Sequence, residues 1–175
     1  MIPENLIKVL QLGENKKVEF KNFKGPVQSY IVGPAICAFL NSGVGYVICG
    51  VGSNEITGII ESSEEITVLE QSVLSLLSPK ALVSFEVQAI QEKQVLVIEV
   101  PAGMDLPYAY HNEIYIRKSG RTVKADVETI RDMVMKRQIE PERWERRFSS
   151  ADIETDLSPE ETISTLKLLS DSSII

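Results

Sequence analysis

The sequence predicts an α+β fold in which helices pack on a mixed, largely antiparallel sheet. Three observations lead there. Helix-period and strand-period segments follow the order helix, strand, helix, strand, strand, helix, hairpin, strand, helix, which belongs neither to a doubly wound parallel sheet nor to a pure sandwich. The strand-like runs Val83–Ala89 and Val95–Val100 are separated only by a turn around Gln91-Glu92-Lys93, short enough for an antiparallel hairpin and far too short for a parallel crossover. Finally, 175 residues with 43% hydrophobic and 25% charged side chains, ten Gly and eight Pro suit one soluble core and exclude collagen-like and wholly disordered chains.

The elements follow from their periods. Leu6, Ile7 and Leu10 make one face of a short helix, and Val18 and Phe20 alternate with Lys17, Glu19 and Lys21 as in a half-exposed strand. Ile31–Leu40 reads as a buried helix with Pro34 in its first turn, and Tyr46–Val51 as a strand covered on both faces. Between them, Asn41, Ser42, Gly43 and Gly45 are expected to cap the helix and turn the chain. Ser62 followed by Glu65 is a capping-box pattern, and Ile66, Leu69, Val73 and Leu77 form a helical stripe that Pro79 closes. After the hairpin, Ile114 and Ile116 alternate with Tyr115 and Arg117 in a last strand, and Val127, Ile130 and Val134 line a helix.

Residues 1–148 are expected to form the single domain. Residues 149–175 read as a linker, Ser149-Ser150-Ala151-Asp152, and a C-terminal helical tail with Ile163, Leu166 and Leu169 on one face. Such a tail suits the start of a further domain or a segment that docks on a partner. The stretch from Gly25 to Asn54 carries no charge, but Pro34 and the Asn41–Gly45 turn cut it into pieces too short to span a membrane. No membrane partner is expected. Cys37 and Cys49 sit in apolar runs with no signal peptide ahead of them, so a reducing, cytoplasmic setting is expected, with both as small buried hydrophobes. One His and two isolated Cys do not make a finger-type zinc site. His111 reads as a hydrogen-bonded loop residue, and Trp144 as the anchor of the last domain helix.

The net charge of −7 argues at first against nucleic acid, whose binding depends on Lys and Arg displacing counterions. The distribution reverses that. Residues 1–30 hold five Lys and three Glu, residues 31–75 five Glu and no basic side chain, and residues 113–147 ten basic and seven acidic. If folding joins the two basic segments, an acidic protein presents a basic face; otherwise they are two solvated surfaces.

Four ordered pieces of sequence resemble one family. They are Glu14 with Val18-Glu19-Phe20-Lys21; Ala38-Phe39-Leu40-Asn41-Ser42-Gly43-Val44-Gly45 running into Tyr46–Val51; Ile56-Thr57-Gly58-Ile59; and Ile114-Tyr115-Ile116-Arg117-Lys118-Ser119-Gly120-Arg121-Thr122. Together they are similar to the Schlafen AlbA-like domain over about residues 10–137. The resemblance implies association with nucleic acid, since family members include tRNA- and rRNA-cleaving endoribonucleases and bacterial proteins named as DNA-binding regulators or, in older naming, divergent AAA ATPases. ATP hydrolysis is not expected here, because Gly43-Val44-Gly45-Tyr46-Val47-Ile48 has neither the Lys nor the hydroxyl of a P-loop.

The first expectation is a nucleic-acid-binding module for RNA or DNA that needs no cofactor, contacting phosphates through Lys17, Lys21 and Lys24 and through Arg117, Lys118, Ser119 and Arg121. Tyr115 shares its strand face with Arg117, so a ring and a guanidinium can lie side by side. Ser119-Gly120 lets the backbone approach an anion. The alternative is a solubilising edge cluster. The second expectation is a metal-dependent endoribonuclease, with Glu14 and Glu19 as catalytic ligands of Mg²⁺ or Mn²⁺. Nuclease members carry an acidic residue just after the strand that ends here at Val51, whereas Gly52, Ser53 and Asn54 precede Glu55 in this chain. Read without the resemblance, Glu14 is a surface turn residue and Glu19 pairs with Lys17 or Lys21. The third is a regulatory or dimerisation domain of a longer protein; the resemblance also raises a homodimer.

Overall fold

A computed structural model describes residues 6–139 apart from 24, 53, 54 and 91. Its elements are α1 (Leu6–Leu12), β1 (Val18–Lys21), α2 (Ser29–Ser42), β2 (Gly45–Cys49), α3 (Ser63–Ser75), β3 (Leu77–Ser78), β4 (Ser84–Ile90), β5 (Lys93–Val100), β6 (Ala109–Tyr110), β7 (Tyr115–Lys118), β8 (Arg121–Lys124) and α4 (Val127–Ile139). The fold is α+β. The main sheet has the order β1-β2-β5-β4, with β1 parallel to β2 and the other pairs antiparallel. The parallel pair requires a crossover, and α2 supplies it.

α2 is apolar on nearly every side, as a helix enclosed by its own domain must be. Val32, Ile36, Phe39 and Leu40 pack with Ile66, Leu69 and Val73 of α3 on the sheet face that carries Val47, Cys49, Leu96, Ile98 and Val100. The opposite face carries Val18, Phe20, Ile48, Val95 and Val97, and α1 covers it with Leu6, Val9 and Leu10. Covered on both sides, β2 and the Val95–Ile98 run of β5 are almost wholly buried, as their continuous apolar runs predict. The capping box opens α3: Ser62 Oγ accepts from Glu65 N at 3.3 Å, and the Glu65 carboxylate accepts from Ser62 N at 2.8 Å.

Several expectations shift. α2 starts at Ser29, two residues earlier than its apolar run, so Pro34 lies in the second turn. α3 ends at Ser75, and Leu77 belongs to β3, where it pairs with Tyr110 of β6. Between β2 and α3, where the expected order has a second strand, Ile56 makes only an isolated bridge to Val51. β7 is not the last strand, because the chain reverses at Ser119-Gly120 into β8. Both turn residues have positive φ, 52° and 78°, as a two-residue hairpin whose twist matches its strands requires. The expected linker and C-terminal helix at 149–175, Trp144 and Lys24 lie outside the described residues. Among the described residues no helix is long and apolar enough to cross a membrane.

Candidate functional site

β1 is an edge strand, and its register with β2 sets the chemistry. Glu19 lies opposite Val47 and Lys21 opposite Cys49, so both side chains leave the sheet on the α2 face. The sequence predicts that face of β1 to be exposed. It is not: Glu19 is 6% exposed, because the β7–β8 hairpin packs over it, and a buried carboxylate must then be matched by donors. Glu19 Oε2 accepts from Arg117 Nη1 and, at 2.6 Å, from Thr122 Oγ1, while Lys21 Nζ stands 2.5 Å from Oε1. Thr122 is opposite Arg117 in the hairpin register, which aims both at the same carboxylate.

Arg117 is held through both terminal nitrogens, while its Nε is buried with no hydrogen-bond partner among the described residues. Its side chain is 4% exposed. Nη1 also donates to Thr122 Oγ1 at 3.1 Å, and Nη2 donates to Gly120 O at 2.7 Å and Asn15 O at 3.1 Å. The guanidinium lies 4.5 Å from the Phe39 ring centroid, an attractive geometry for a cation over an aromatic face. Burial draws its pKa below the usual Arg value, opposed by the charges of Glu19 and Glu14. The expected pairing of an outward Arg117 with the Tyr115 ring therefore does not describe its placement. Strand alternation put the two on one face, but that face is the one turned to the protein.

The loop before β1 is shaped by its own side chains. Asn15 Oδ1 accepts from Lys17 N at 2.8 Å and Nδ2 donates to Gly13 O at 3.2 Å, the local bonding that makes Asn a turn former. Glu14 Oε1 accepts from Phe20 N at 2.9 Å, satisfying a backbone donor on the sheet edge. The hairpin tip rests on this loop. A Cβ built on Gly120 would lie 3.6 Å from the carbonyl carbon of Asn15 and 4.0 Å from Lys16 N. Lys17, Lys118, Ser119 and Arg121 are exposed, so cations from two segments about a hundred residues apart flank one loop-and-tip contact. Lys118 and Arg121 face each other in the register, on the side away from Arg117. At the open end, Lys124 Nζ lies 2.5 Å from Glu113 Oε2, which also accepts from Tyr115 Oη at 3.1 Å. Those two donors hold the Glu113 carboxyl below its usual pKa.

Two buried polar groups escape the sequence reading. Asn41, expected as a helix cap, is 8% exposed and joins three segments: its Nδ2 donates to Tyr108 O and Tyr115 O, both at 2.8 Å, and its Oδ1 accepts from Tyr108 N at 2.7 Å. The cap itself is Gly43, whose φ of 127° lies in the left-handed region that glycine tolerates. Beside it, Ser42 Oγ accepts from Arg117 N at 2.9 Å. Glu61 is 8% exposed and accepts from Val27 N and Ile60 N. The available signals were an Asn inside an otherwise apolar helix and a lone acid after Ile59-Ile60. Cys37 and Cys49 are buried as expected; burial pushes the Cys37 thiol up to about 11 and Cys49 higher still.

A divalent cation on Glu14 and Glu19 does not fit this donor set. Both Glu19 oxygens are taken by cations and a hydroxyl, and one Glu14 oxygen by a backbone N–H. Among the described residues no three His, Cys, Asp or Glu side chains gather where they could hold a metal.

The sequence model of the Schlafen, AlbA_2 family matches residues 14–126, a span that holds the Glu14 loop, the ion network and the whole hairpin. The chain belongs to the Schlafen AlbA_2 family. Among solved structures, the DIP2311 protein from Corynebacterium diphtheriae is similar in fold to this AlbA_2 chain, with a TM-score of 0.53 at 17% identity over 63% of this chain. The match spans 22% of that protein, so this chain covers about a fifth of its length. The N-terminal domain of a protein from Nitrosomonas europaea named as related to the ATP-dependent DNA helicase RecG aligns with a TM-score of 0.49 at 18% identity, over 70% of this chain and 92% of that domain. No curated protein matches the chain in sequence.

Proposed function

We propose that this AlbA_2 domain is a nucleic-acid-binding module, for RNA or DNA, that contacts the phosphate backbone through Lys17, Lys118, Arg121 and the Ser119-Gly120 tip, with Lys21 at the margin. The observation that carries the reading is the contact of the hairpin tip with the Asn15–Lys16 backbone, beside which exposed cations of two distant segments lie. Arg117 is here a positioning residue. Its bonds to Glu19, Asn15 and Gly120 hold loop and tip together, so Lys118 and Arg121 meet a phosphate from a fixed frame. Fixing the frame beforehand reduces the ordering cost that long basic side chains carry on binding.

Retardation of labelled tRNA and of single- and double-stranded DNA at low salt tests this. Binding should fall steeply with salt, with a log–log slope of roughly −0.7 to −0.9 per phosphate neutralised, and Lys118→Glu with Arg121→Glu should abolish it. Affinity indifferent to both salt and charge reversal overturns the reading and leaves a regulatory or dimerisation domain. Endonucleolytic cleavage would require Lys21 to leave Glu19; fragments that need Mn²⁺ and vanish in Glu19→Gln are its signature.

A further inference from the structure

The main sheet has two edges, and they are finished differently. At β1 the outward N–H of Phe20 donates to Glu14 Oε1 at 2.9 Å, and Asn15 and Val18 exchange backbone bonds at 3.0 and 3.4 Å. At the other end of the order, β4 pairs with β5 and, among the described residues, with nothing else. Which of its backbone groups face outward follows from the ladder. Tyr46 N and Gly50 N donate to Lys17 O and Lys21 O of the β1 side, so Val47 and Cys49 turn their groups to β5, and Ile98 and Leu96 opposite them turn theirs to β2. Gln94 O, which accepts from Ile59 N at 2.7 Å, is also turned away from β4. Phe85, Val87 and Ala89 stand opposite Ile98, Leu96 and Gln94, so their N–H and C=O groups line the open edge. Such edges are ordinarily blunted by Pro, Lys, a bulge or a very short strand. β4 has none of these: Ser84–Ile90 is 7 residues long, pairs one to one with β5 throughout, and carries Glu86 as its one charge.

We propose that β4 is a self-association edge, which pairs antiparallel with β4 of a second copy about a two-fold axis at Val87. An isologous contact must be complementary to itself, and this strand is. The axis sets Val87 opposite Val87, Phe85 opposite Ala89 and Glu86 opposite Gln88 of the second copy. The outward groups of Phe85, Val87 and Ala89 then meet one another as hydrogen-bonded pairs, about six bonds in all. Side chains agree with the backbone. Phe85 and Val87 pack at the margin of the core on the α2 face, so that apolar face continues across the junction, while on the opposite face each Glu86 meets an amide. A shift of the axis to Glu86 would oppose two carboxylates, which is unfavourable, and a shift to Gln88 would leave Phe85 beyond the second strand. The Arg117 frame lies at the β1 edge, so the pairing leaves it open in both copies, and the inference is independent of the nucleic-acid reading.

Sedimentation equilibrium of the full chain at increasing concentration, together with amide exchange at Phe85, Val87 and Ala89, tests this. A monomer–dimer equilibrium is expected, in which these three amides exchange fast in dilute protein and slowly in concentrated protein. Gln88→Glu opposes like charges twice per dimer and should weaken association about tenfold, whereas Gln88→Lys should strengthen it by a similar factor. On oxidation, Glu86→Cys mixed with Gln88→Cys should give a disulfide-linked dimer and neither variant alone should, because only the crossed pair comes within disulfide reach. A monomer at every concentration overturns the proposal: fast amides then leave the edge to an extended segment of another protein, and slow amides to further residues of this chain. A dimer indifferent to both changes at Gln88 also overturns it and puts the contact elsewhere.

Discussion

The centre of the sheet and its β1 edge solve the same burial problem in opposite ways. β2 and β5 bury Val47, Ile48, Val95, Leu96, Val97 and Ile98 with no measurable exposure, and α2 and α1 close over them with apolar side chains. At β1 the covering element is a hairpin, and between hairpin and strand lie Glu19, Arg117, Thr122 and Lys21. Apolar contact tolerates sliding, whereas a carboxylate, a fork of five N–H groups and two carbonyls fit together in one arrangement. An ion network is a poor way to gain net stability but an effective way to fix a register. The difference teaches where rigidity is placed: the charged region holds a loop and a hairpin tip whose exposed neighbours are the proposed phosphate contacts.

Substitutions can separate the two regions. Leu96→Ala should lower unfolding free energy by about 3 kcal/mol, as a buried Leu in a tight core does, and leave nucleic-acid affinity unchanged in the folded fraction. Arg117→Ala should cost a similar amount, about 3 kcal/mol, because the buried Glu19 carboxylate loses its buried cation and keeps only Lys21 and Thr122, and it should also remove binding by releasing the hairpin tip; urea titration and retardation together read both effects. Arg117→Lys is expected to lose about 1–2 kcal/mol, since an ammonium cannot serve Glu19, Gly120 and Asn15 together. Ser62→Ala should cost about 1 kcal/mol by removing the α3 cap, with binding intact.

The smallest effect is one of pH. The carboxyls of Glu65, Glu113 and Asp126 are held below their usual values, by bonds to Ser62, by Lys124 and Tyr115, and by bonds to Thr129 respectively. Their lowered pKa values mean that the folded state favours the ionised form. Their contribution is complete above the unfolded values of 4.5 for Glu and 3.8 for Asp and is lost as pH falls through the folded ones. Tm should therefore decline gradually on acidification below about pH 4.5, and Glu113→Gln should flatten part of that decline.

Much of the fold was legible because it is written locally. The apolar run of α2 and β2, the Ser62 cap and the β4–β5 hairpin need only periodicity and turn chemistry. The parallel pairing of β1 with β2 is long-range, and no local pattern encodes it. β8 was missed although Ser119-Gly120 followed by alternating Arg121-Thr122-Val123-Lys124 is a hairpin signal. For the site, the motif residues were found, but alternation along β7 says only that Tyr115 and Arg117 share a face, not that the face is inward. That depends on what covers β1, and only tertiary structure decides it. Asn41 was read as a cap because its position beside Gly43 is a cap position; its bonds to Tyr108 and Tyr115 cross more than sixty residues.

The central claim is that the hairpin tip and the Glu14–Val18 loop act as one phosphate-binding frame set by Arg117. The most direct test is the salt dependence of binding to one labelled single strand by the wild type, by Lys118→Glu with Arg121→Glu, and by Arg117→Lys. The account predicts a steep slope for the wild type, its collapse on charge reversal, and for Arg117→Lys a loss of affinity although the charge is unchanged. Equal affinity and slope for wild type and Arg117→Lys would contradict it.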